Sequence, residues 1–350
     1  MILLWIALGV AGVLLAALLT GAAAGLYGAH KIFARRYNGN PDVRYFRAED
    51  FEGLSAEPVS FDSGGVALRG YVYTREGEKK GAVIFSHGFG AGHFAYTTEI
   101  DRLTRSGFAV LAFDNAACAE SGGAALKGFD GGVADLLAAV KFSRTHPLLK
   151  DLPKAMFGHS WGGFSVINAF AQCDDVGFAA AMCGFVGCGE IIGQTIFGKI
   201  APLRFAACVA LRLRERSLFG KCANYRSDKA VRKIRKPLFL LYGEKDGVVP
   251  YRWNGKKVIA AAKGNPFVTS VSFAEKGHNV YLTEEAERYM NETFGRIGKM
   301  AKKDKAAAQK LYHEVDYVAM TREDEAVMSA VADFLEGKTN GAEMLGAANR

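Results

Sequence analysis

Gly158-His159-Ser160-Trp161-Gly162-Gly163 sets a serine two residues from a glycine on either side, after the apolar run Ala155 to Phe157 and before the helical pattern Trp161 to Ala171. That context gives a G-x-S-x-G match its chemical meaning. A nucleophile on a tight strand-to-helix turn sits in strained backbone, so the residues two before and two after must be nearly free of side chain for the turn to close. The turn also puts Ser160 at a helix N-terminus, where amide N–H groups and the helix dipole favour negative charge on a reacting oxygen. A serine hydroxyl needs a base. The chain offers His30, His87, His93, His146, His159, His278 and His313. His159 adjoins the serine, but adjacent side chains on such a turn diverge, and it reads as a packed residue behind the site. His313 lies in the charged stretch Lys310 to Asp316, which reads as a solvated helix. His278, in Lys276-Gly277-His278-Asn279, follows the last apolar run, where a loop would carry it back over Ser160.

A second turn, Ser86-His87-Gly88-Phe89-Gly90, ends the apolar run Ala82 to Phe85. On these two turns the sequence resembles the α/β-hydrolase family, most closely its monoacylglycerol-lipase-like and serine-aminopeptidase-like esterase branch. The resemblance implies that the backbone N–H groups of Phe89 and Trp161 form an oxyanion hole, and that His87 is structural. The family's chain order of nucleophile, acid and histidine favours His278 as the base. Tyr242-Gly243-Glu244-Lys245-Asp246-Gly247-Val248-Val249-Pro250 looks like the family's turn after the seventh strand, in which the Asp ahead of Val-Pro is the triad acid. Asp246 matches that position, with Glu244 as the fallback; an orienting carboxylate holds the imidazole tautomer and stabilises the imidazolium. The resemblance covers about Ser60 to Gly277 apart from one insertion, plus His278 and the final helix. One departure stands out. Relatives commonly carry a Gly-rich Asp-x-x-Gly-x-Gly-x-Ser turn after the fourth strand, where this chain has Asp114-Asn115-Ala116-Ala117-Cys118-Ala119-Glu120-Ser121-Gly122. Cys118 there reads as a small buried thiol.

The implied activity is a serine hydrolase that cleaves lipid-like or small carboxylic acyl esters through an acyl-enzyme on Ser160, a chemistry that needs no metal or organic cofactor. Peptidase, thioesterase and acyltransferase chemistry can use the same residues. A non-catalytic binding protein on the same fold is the reading from another class.

The elements that must position these residues follow from hydrophobic pattern. Pro58 to Asp62 and Val66 to Thr74 alternate around Ser63-Gly64-Gly65, which predicts an antiparallel hairpin. Short apolar runs at 82–85, 109–113, 155–157, 178–183, 238–242 and 268–273 read as buried parallel strands. Helical patterns at 96–106, 133–144, 161–171 and 253–263 fall between them, so the expected core is a mostly parallel sheet covered by helices on both faces. We expect that core over 58–184 and 237–336, interrupted by a lid at 185–236 and an irregular helical insertion near 284–318, and followed by a tail over 337–350. The lid text mixes Ile191, Ile196, Phe197, Ile200, Leu203 and Phe205 with Arg204, Arg212, Arg214 and Arg216. Such a stripe suits packing on the core or resting on anionic lipid.

The 350 residues are 50% hydrophobic, enough for one sizeable core. The net charge of +8 is scattered and no nucleic-acid motif accompanies it. Six cysteines, none in a CxxC pair, are too few for a disulfide scaffold at this length. Ile2 to Gly28 carries no charge and is long enough to cross the roughly 30 Å hydrocarbon layer, so 1–28 is expected to be a transmembrane anchor and 29–57 a linker. A cleaved signal peptide is the alternative, with Ala22 and Ala24 as a weak cleavage site, but it would normally open on a basic segment, which is missing here. Lys31, Arg35 and Arg36 follow the span, and the positive-inside rule then puts the body in the cytoplasm. Expected partners are a small acyl substrate and membrane lipid, with no nucleic acid.

Overall fold

The computed structural model describes residues 1–339, 341–343 and 345. Strands β1 (Ser55–Ser63) and β2 (Val66–Thr74) pair antiparallel. Their alternating text leaves one face of this edge hairpin to solvent. β3 (Gly81–Ser86), β4 (Phe108–Phe113), β5 (Lys154–His159), β6 (Val176–Met182), β7 (Leu238–Gly243) and β8 (Val268–Phe273) then run parallel. The eight strands lie in the order β1-β2-β4-β3-β5-β6-β7-β8, with β2 antiparallel to β4.

Because side chains alternate across a strand, β3 sends Ala82 and Ile84 to one face and Val83 and Phe85 to the other, and all four are fully buried. On the first face lie α3 (Gly131–Ser143), α4 (Trp161–Phe170) and α8 (Gly255–Ala262), which contribute Val133, Leu136, Phe164, Ile167 and Val258. On the second lie α2 (Thr97–Arg105) and α12 (Glu325–Leu335), with Ile100, Leu103, Met328, Val331 and Phe334. The mostly parallel, two-faced sheet expected from the alternation of runs, and the α/β-hydrolase fold that the resemblance implies, are the ones observed.

Between β6 and β7 the chain makes α5 (Cys188–Phe197), α6 (Ala201–Phe219) and the short α7 (Ser227–Ala230). The stretch after His278 is regular helix: α9 (Glu284–Ala301), α10 (Lys305–His313) and α11 (Tyr317–Met320). These three share a satellite core of Ile297, Ala308, Val315, Tyr317 and Met320. Three of them and α12 start on an oxygen-bearing side chain that accepts from a first-turn amide, Thr283, Asp304, Asp316 and Asp324 respectively.

The N-terminal helix α1 (Ile2–Phe33) runs five residues past Gly28. It is the one helix among the described residues long and apolar enough to cross a membrane, with a mean hydropathy of 2.8 over its most apolar window. Its last turns are not free. Gly21, Gly25, Ala29 and Phe33 are buried, and a Cβ at Gly21 or Gly25 would meet Leu203 O at 2.6 Å or Ala207 Cβ at 2.7 Å. The helix therefore packs on α6 along a row of small residues spaced four apart, the pattern that lets helix backbones approach closely.

The segment after α1, expected to be a linker, binds the body instead. Tyr37 N–H donates to Ala117 O (2.9 Å), and Ala119 N–H donates to Tyr37 O (2.8 Å). Further along, Phe46 O accepts from Thr97 Oγ1 (2.9 Å), and Asn40 Nδ2 donates to Tyr312 OH (2.8 Å). The helix stops at Phe33, ahead of the breakers Asn38-Gly39-Asn40-Pro41, and backbone and aromatic groups on either side of them find partners across the fold, which local pattern does not reveal.

Candidate active site

The turn between β5 and α4 holds Ser160 at φ 59°, left-handed for a residue with a side chain, and its N–H donates to Met182 O at 2.8 Å. The close approach of this turn to the neighbouring strand is what excludes side chains. A Cβ on Gly162 would lie 1.9 Å from Ser86 O, and one on Gly158 would lie 2.7 Å from the Gly162 carbonyl. Strain of this kind costs about 1–3 kcal/mol and persists where surrounding packing over-determines it.

Three separate loops at the carboxyl ends of parallel strands bring the polar groups together. His278, after β8, places Nε2 at 2.9 Å from Ser160 Oγ and Nδ1 at 2.7 Å from Asp246 Oδ2. Asp246, after β7, accepts from the amides of Val248 (2.8 Å) and Val249 (2.7 Å) through its other oxygen. Its side chain is 2% exposed and that of His278 is 12%, so the array is closed to bulk water yet hydrogen-bonded throughout. Glu244, the fallback acid, bonds Ser272 Oγ (2.7 Å) at the surface. His313 ends α10, on the satellite layer.

The turn from Ser86 to Gly90 lies beside Ser160, with a Cβ built on Gly88 3.5 Å from Ser160 Cβ. Neither the Phe89 nor the Trp161 amide donates a hydrogen bond among the described residues. His87 is buried, its Nδ1 2.7 Å from Gly88 O and its Nε2 accepting from Asn115 N–H at 3.0 Å. Burial lowers its pKa, so it serves the turn as a neutral ring. Phe89 packs on Tyr37 (4.4 Å between centroids) and Phe129 (5.4 Å), and Phe129 in turn meets Trp161 (5.7 Å) and Phe33 at the end of α1 (4.9 Å). An aromatic cluster thus joins the N-terminal helix to the residue that follows the serine.

Several supporting residues carry no sequence signal. Glu287 of α9 accepts from Gly277 N–H (2.9 Å) and Asn279 N–H (2.8 Å), bracketing His278 on both sides. His159 Nδ1 lies 2.9 Å from Tyr96 OH and its Nε2 2.9 Å from His278 O. Burial and the neighbouring His278 hold its pKa well below the ordinary value, so neutral His159 accepts from Tyr96 and donates to the His278 carbonyl. Tyr96 OH accepts from Gly88 N–H at 3.1 Å. One chain of hydrogen bonds therefore ties the Gly88 turn, the Ser160 turn and the His278 loop together. Cys183, at φ 50° and fully buried, puts its thiol among these rings; the ligand atoms of His159, Cys183 and His278 lie within 4.8 Å of one another. Burial pushes that thiol well above its usual pKa, and His278 is already shared between Ser160 and Asp246, so the donor set suits protonated hydrogen bonding better than a cation. The six cysteines are free, and Cys118 is buried.

The turn that departs from its relatives keeps a glycine-like geometry without the glycines. Ala117 (φ 61°) and Ala119 (φ 37°) stand where Gly is common, both in left-handed backbone. The strap at Tyr37 bonds both residues, and Arg36 donates to the carbonyls of Ala119 (2.9 Å) and Ser121 (2.8 Å).

A strand-to-helix serine turn, with an acid after the seventh strand and a histidine after the eighth of a mostly parallel sheet, is the arrangement of the α/β-hydrolase fold. Residues 77–226 match the model of the family described as serine aminopeptidase, S33. An esterase of Pyrococcus furiosus is similar in structure, with a TM-score of 0.55 at 21% identity over 77% of this chain and 98% of its own. The Pyrococcus horikoshii acylaminoacyl peptidase has a TM-score of 0.50 at 16% identity, over 66% of this chain and 38% of its own. No curated protein matches the sequence.

Proposed function

We propose that the protein is a serine hydrolase that cleaves carboxylic esters through an acyl-enzyme on Ser160, held at a membrane by α1 with its body on the cytoplasmic side. The observation that carries the catalytic reading is the bridge from Asp246 through His278 to Ser160 at 2.7 and 2.9 Å, beside two unspent amides. His278 Nε2 takes the Ser160 proton as Oγ attacks the acyl carbonyl. Asp246 fixes the Nδ1–H tautomer and stabilises the imidazolium. The Phe89 and Trp161 amides face the oxygen that gains charge. His278 then returns the proton to the leaving oxygen, and water repeats the sequence to release the acid.

Replacing Ser160 by Ala should abolish labelling by a fluorophosphonate probe and lower kcat on p-nitrophenyl esters by about a million-fold. Retained labelling would remove the assignment. Amide cleavage is the second reading, supported by the S33 match over 77–226. Aminoacyl p-nitroanilides assayed beside the esters separate the two, since only a peptidase turns over both.

Membrane attachment is supported by the composition of α1 and by its fit to the lid. Gly21 and Gly25 are dictated by contact with α6, a requirement that a leader removed near Ala22 or Ala24 would not have. An impermeant thiol reagent tests sidedness at Cys222, the exposed cysteine. Labelling in intact cells would contradict the cytoplasmic orientation.

A further inference from the structure

Packing contacts set the direction in which the lid leaves α1. Gly21 lies against Leu203 and Ala206, Gly25 against Ala207, and Phe33 under the Arg214 guanidinium at 5.2 Å, so positions rise together along both helices. α6 therefore runs parallel to α1, and the α5–α6 turn, Gly198 to Ile200, is the end nearest Gly21. Residues Ile2–Thr20 of α1 remain unpartnered, roughly 28 Å of helix at about 1.5 Å per residue, close to the roughly 30 Å thickness of a hydrocarbon core. A bilayer entered by that stretch has its surface at the α5–α6 turn.

The lid is apolar on the side it would present there. α6 buries Ala206, Ala207 and Leu211, and leaves Phe205, Val209 and Leu213 on one row at 66%, 41% and 67% exposure. Ile200, at 55%, stands exposed on the turn ahead of the row, whereas Ile196 (38%) packs its Cδ1 against Gly28 of α1 and Leu218 (46%) lies on another face of α6. Beyond α1, 11 large apolar side chains stand exposed among the described residues, and six of these lie in Ile196–Leu218. A soluble body does not collect exposed apolar groups on one element without a partner for them. Lys199, Arg216 and Lys221 flank the row and make no ion pair among the described residues, a charge pattern suited to anionic headgroups.

We propose that the α5–α6 lid is a membrane-docking surface, its turn and Phe205 seated in the acyl and headgroup boundary of the bilayer that α1 enters. This rests on the reading of α1 as a membrane span, and on no assumption about catalysis. α6 packs on α1 through Leu203, Ala206 and Ala207, so a bilayer entered by α1 meets the near end of α6 as well. Parallel packing adds a depth order, with Ile200 and Phe205 deepest, Val209 next and Leu213 shallowest.

The test places photoreactive p-benzoylphenylalanine, one site at a time, at Trp5, Ile200, Phe205, Leu213 and the exposed α9–α10 residue Lys302 in the full chain. The proteins are reconstituted into phosphatidylcholine–phosphatidylglycerol vesicles and irradiated, and lipid adducts are read by mass spectrometry. Adduct yields at positions 200 and 205 within about threefold of position 5, falling at 213 and about tenfold lower at 302, are expected for a lid whose near end reaches the interface while α6 leads away from it. Lipid at position 5 with none at 200 and 205 would overturn the docking while leaving the span intact. No lipid at position 5 would overturn the span and the docking together. Cross-links from 205 or 213 to a second copy of the chain would replace the bilayer with a protein interface. Phosphonate labelling of the same samples reports independently on Ser160.

Discussion

Glu287 touches neither Ser160 nor any reacting atom, yet its two oxygens receive the amides on both sides of His278. Replacing it by Ala leaves those amides unpaired and frees the loop that aims the imidazole. Misplacement of about 1 Å at a reacting group costs about a hundredfold in rate, so Glu287→Ala should lower kcat on an activated ester by roughly tenfold to a hundredfold, with KM little changed. Glu287→Gln, which still accepts one of the two bonds, should recover part of that loss. The two classes of residue differed in legibility for a physical reason. Ser160 was readable because its turn forces glycines at fixed spacing, and Asp246 and His278 because each follows a strand end in the family's chain order. Glu287 reaches back eight and ten residues to its partners and Tyr96 reaches 63 to His159, through contacts that have no local spacing signal. His159 was placed behind the nucleophile by the divergence of neighbouring side chains, but its bond to the His278 carbonyl needed the structure.

At the scale of elements, the turn after β4 carries alanine in backbone that costs an L-residue about 1–2 kcal/mol. Ala117→Gly or Ala119→Gly removes that cost and adds some unfolded-chain entropy, for a net stabilisation of about 0.5–1 kcal/mol each, measurable as a raised melting temperature. The α1–α6 seam predicts the opposite sign. Gly25→Leu drives side chain into Ala207 and should destabilise the detergent-solubilised protein by about 1–3 kcal/mol. Gly9→Leu is the control, since nothing lies within 4 Å of Gly9. The sheet and its flanking helices were legible from alternating apolar runs, with ends shifted by a few residues. The strap after α1 was not, because breakers report where a helix stops and not what the following chain binds. Nor did the apolar text of α1 distinguish a span from a span that also packs on the lid.

Across the whole molecule, buried acids make folding depend on pH. Burial raises Asp130 to about 7 and Asp135 to about 6. Glu215, on α6, is raised to about 7 by burial and by Asp130, against the lowering effect of Arg214. A carboxyl whose folded pKa lies above its unfolded value binds more protons in the folded state across the interval between them, so stability falls as pH rises through that interval. The melting temperature should therefore drop between about pH 4 and 7. Glu215→Gln, which keeps the shape and removes the charge, should flatten that drop by on the order of 1–3 kcal/mol.

The bonds from Tyr37 to Ala117 and Ala119, and the ring contact of Phe33 with Phe129, connect the end of α1 directly to the turn and the ring that border Ser160. A catalytic body on a loose tether samples every height its leash permits. Here no leash exists, and on a bilayer the serine stands at one set height, like the stylus of a gauge. For the membrane-held ester hydrolase proposed above, selection among amphiphiles would depend on how far each one lifts its scissile carbonyl above the hydrocarbon, so that chain length would matter less than the depth at which the ester sits.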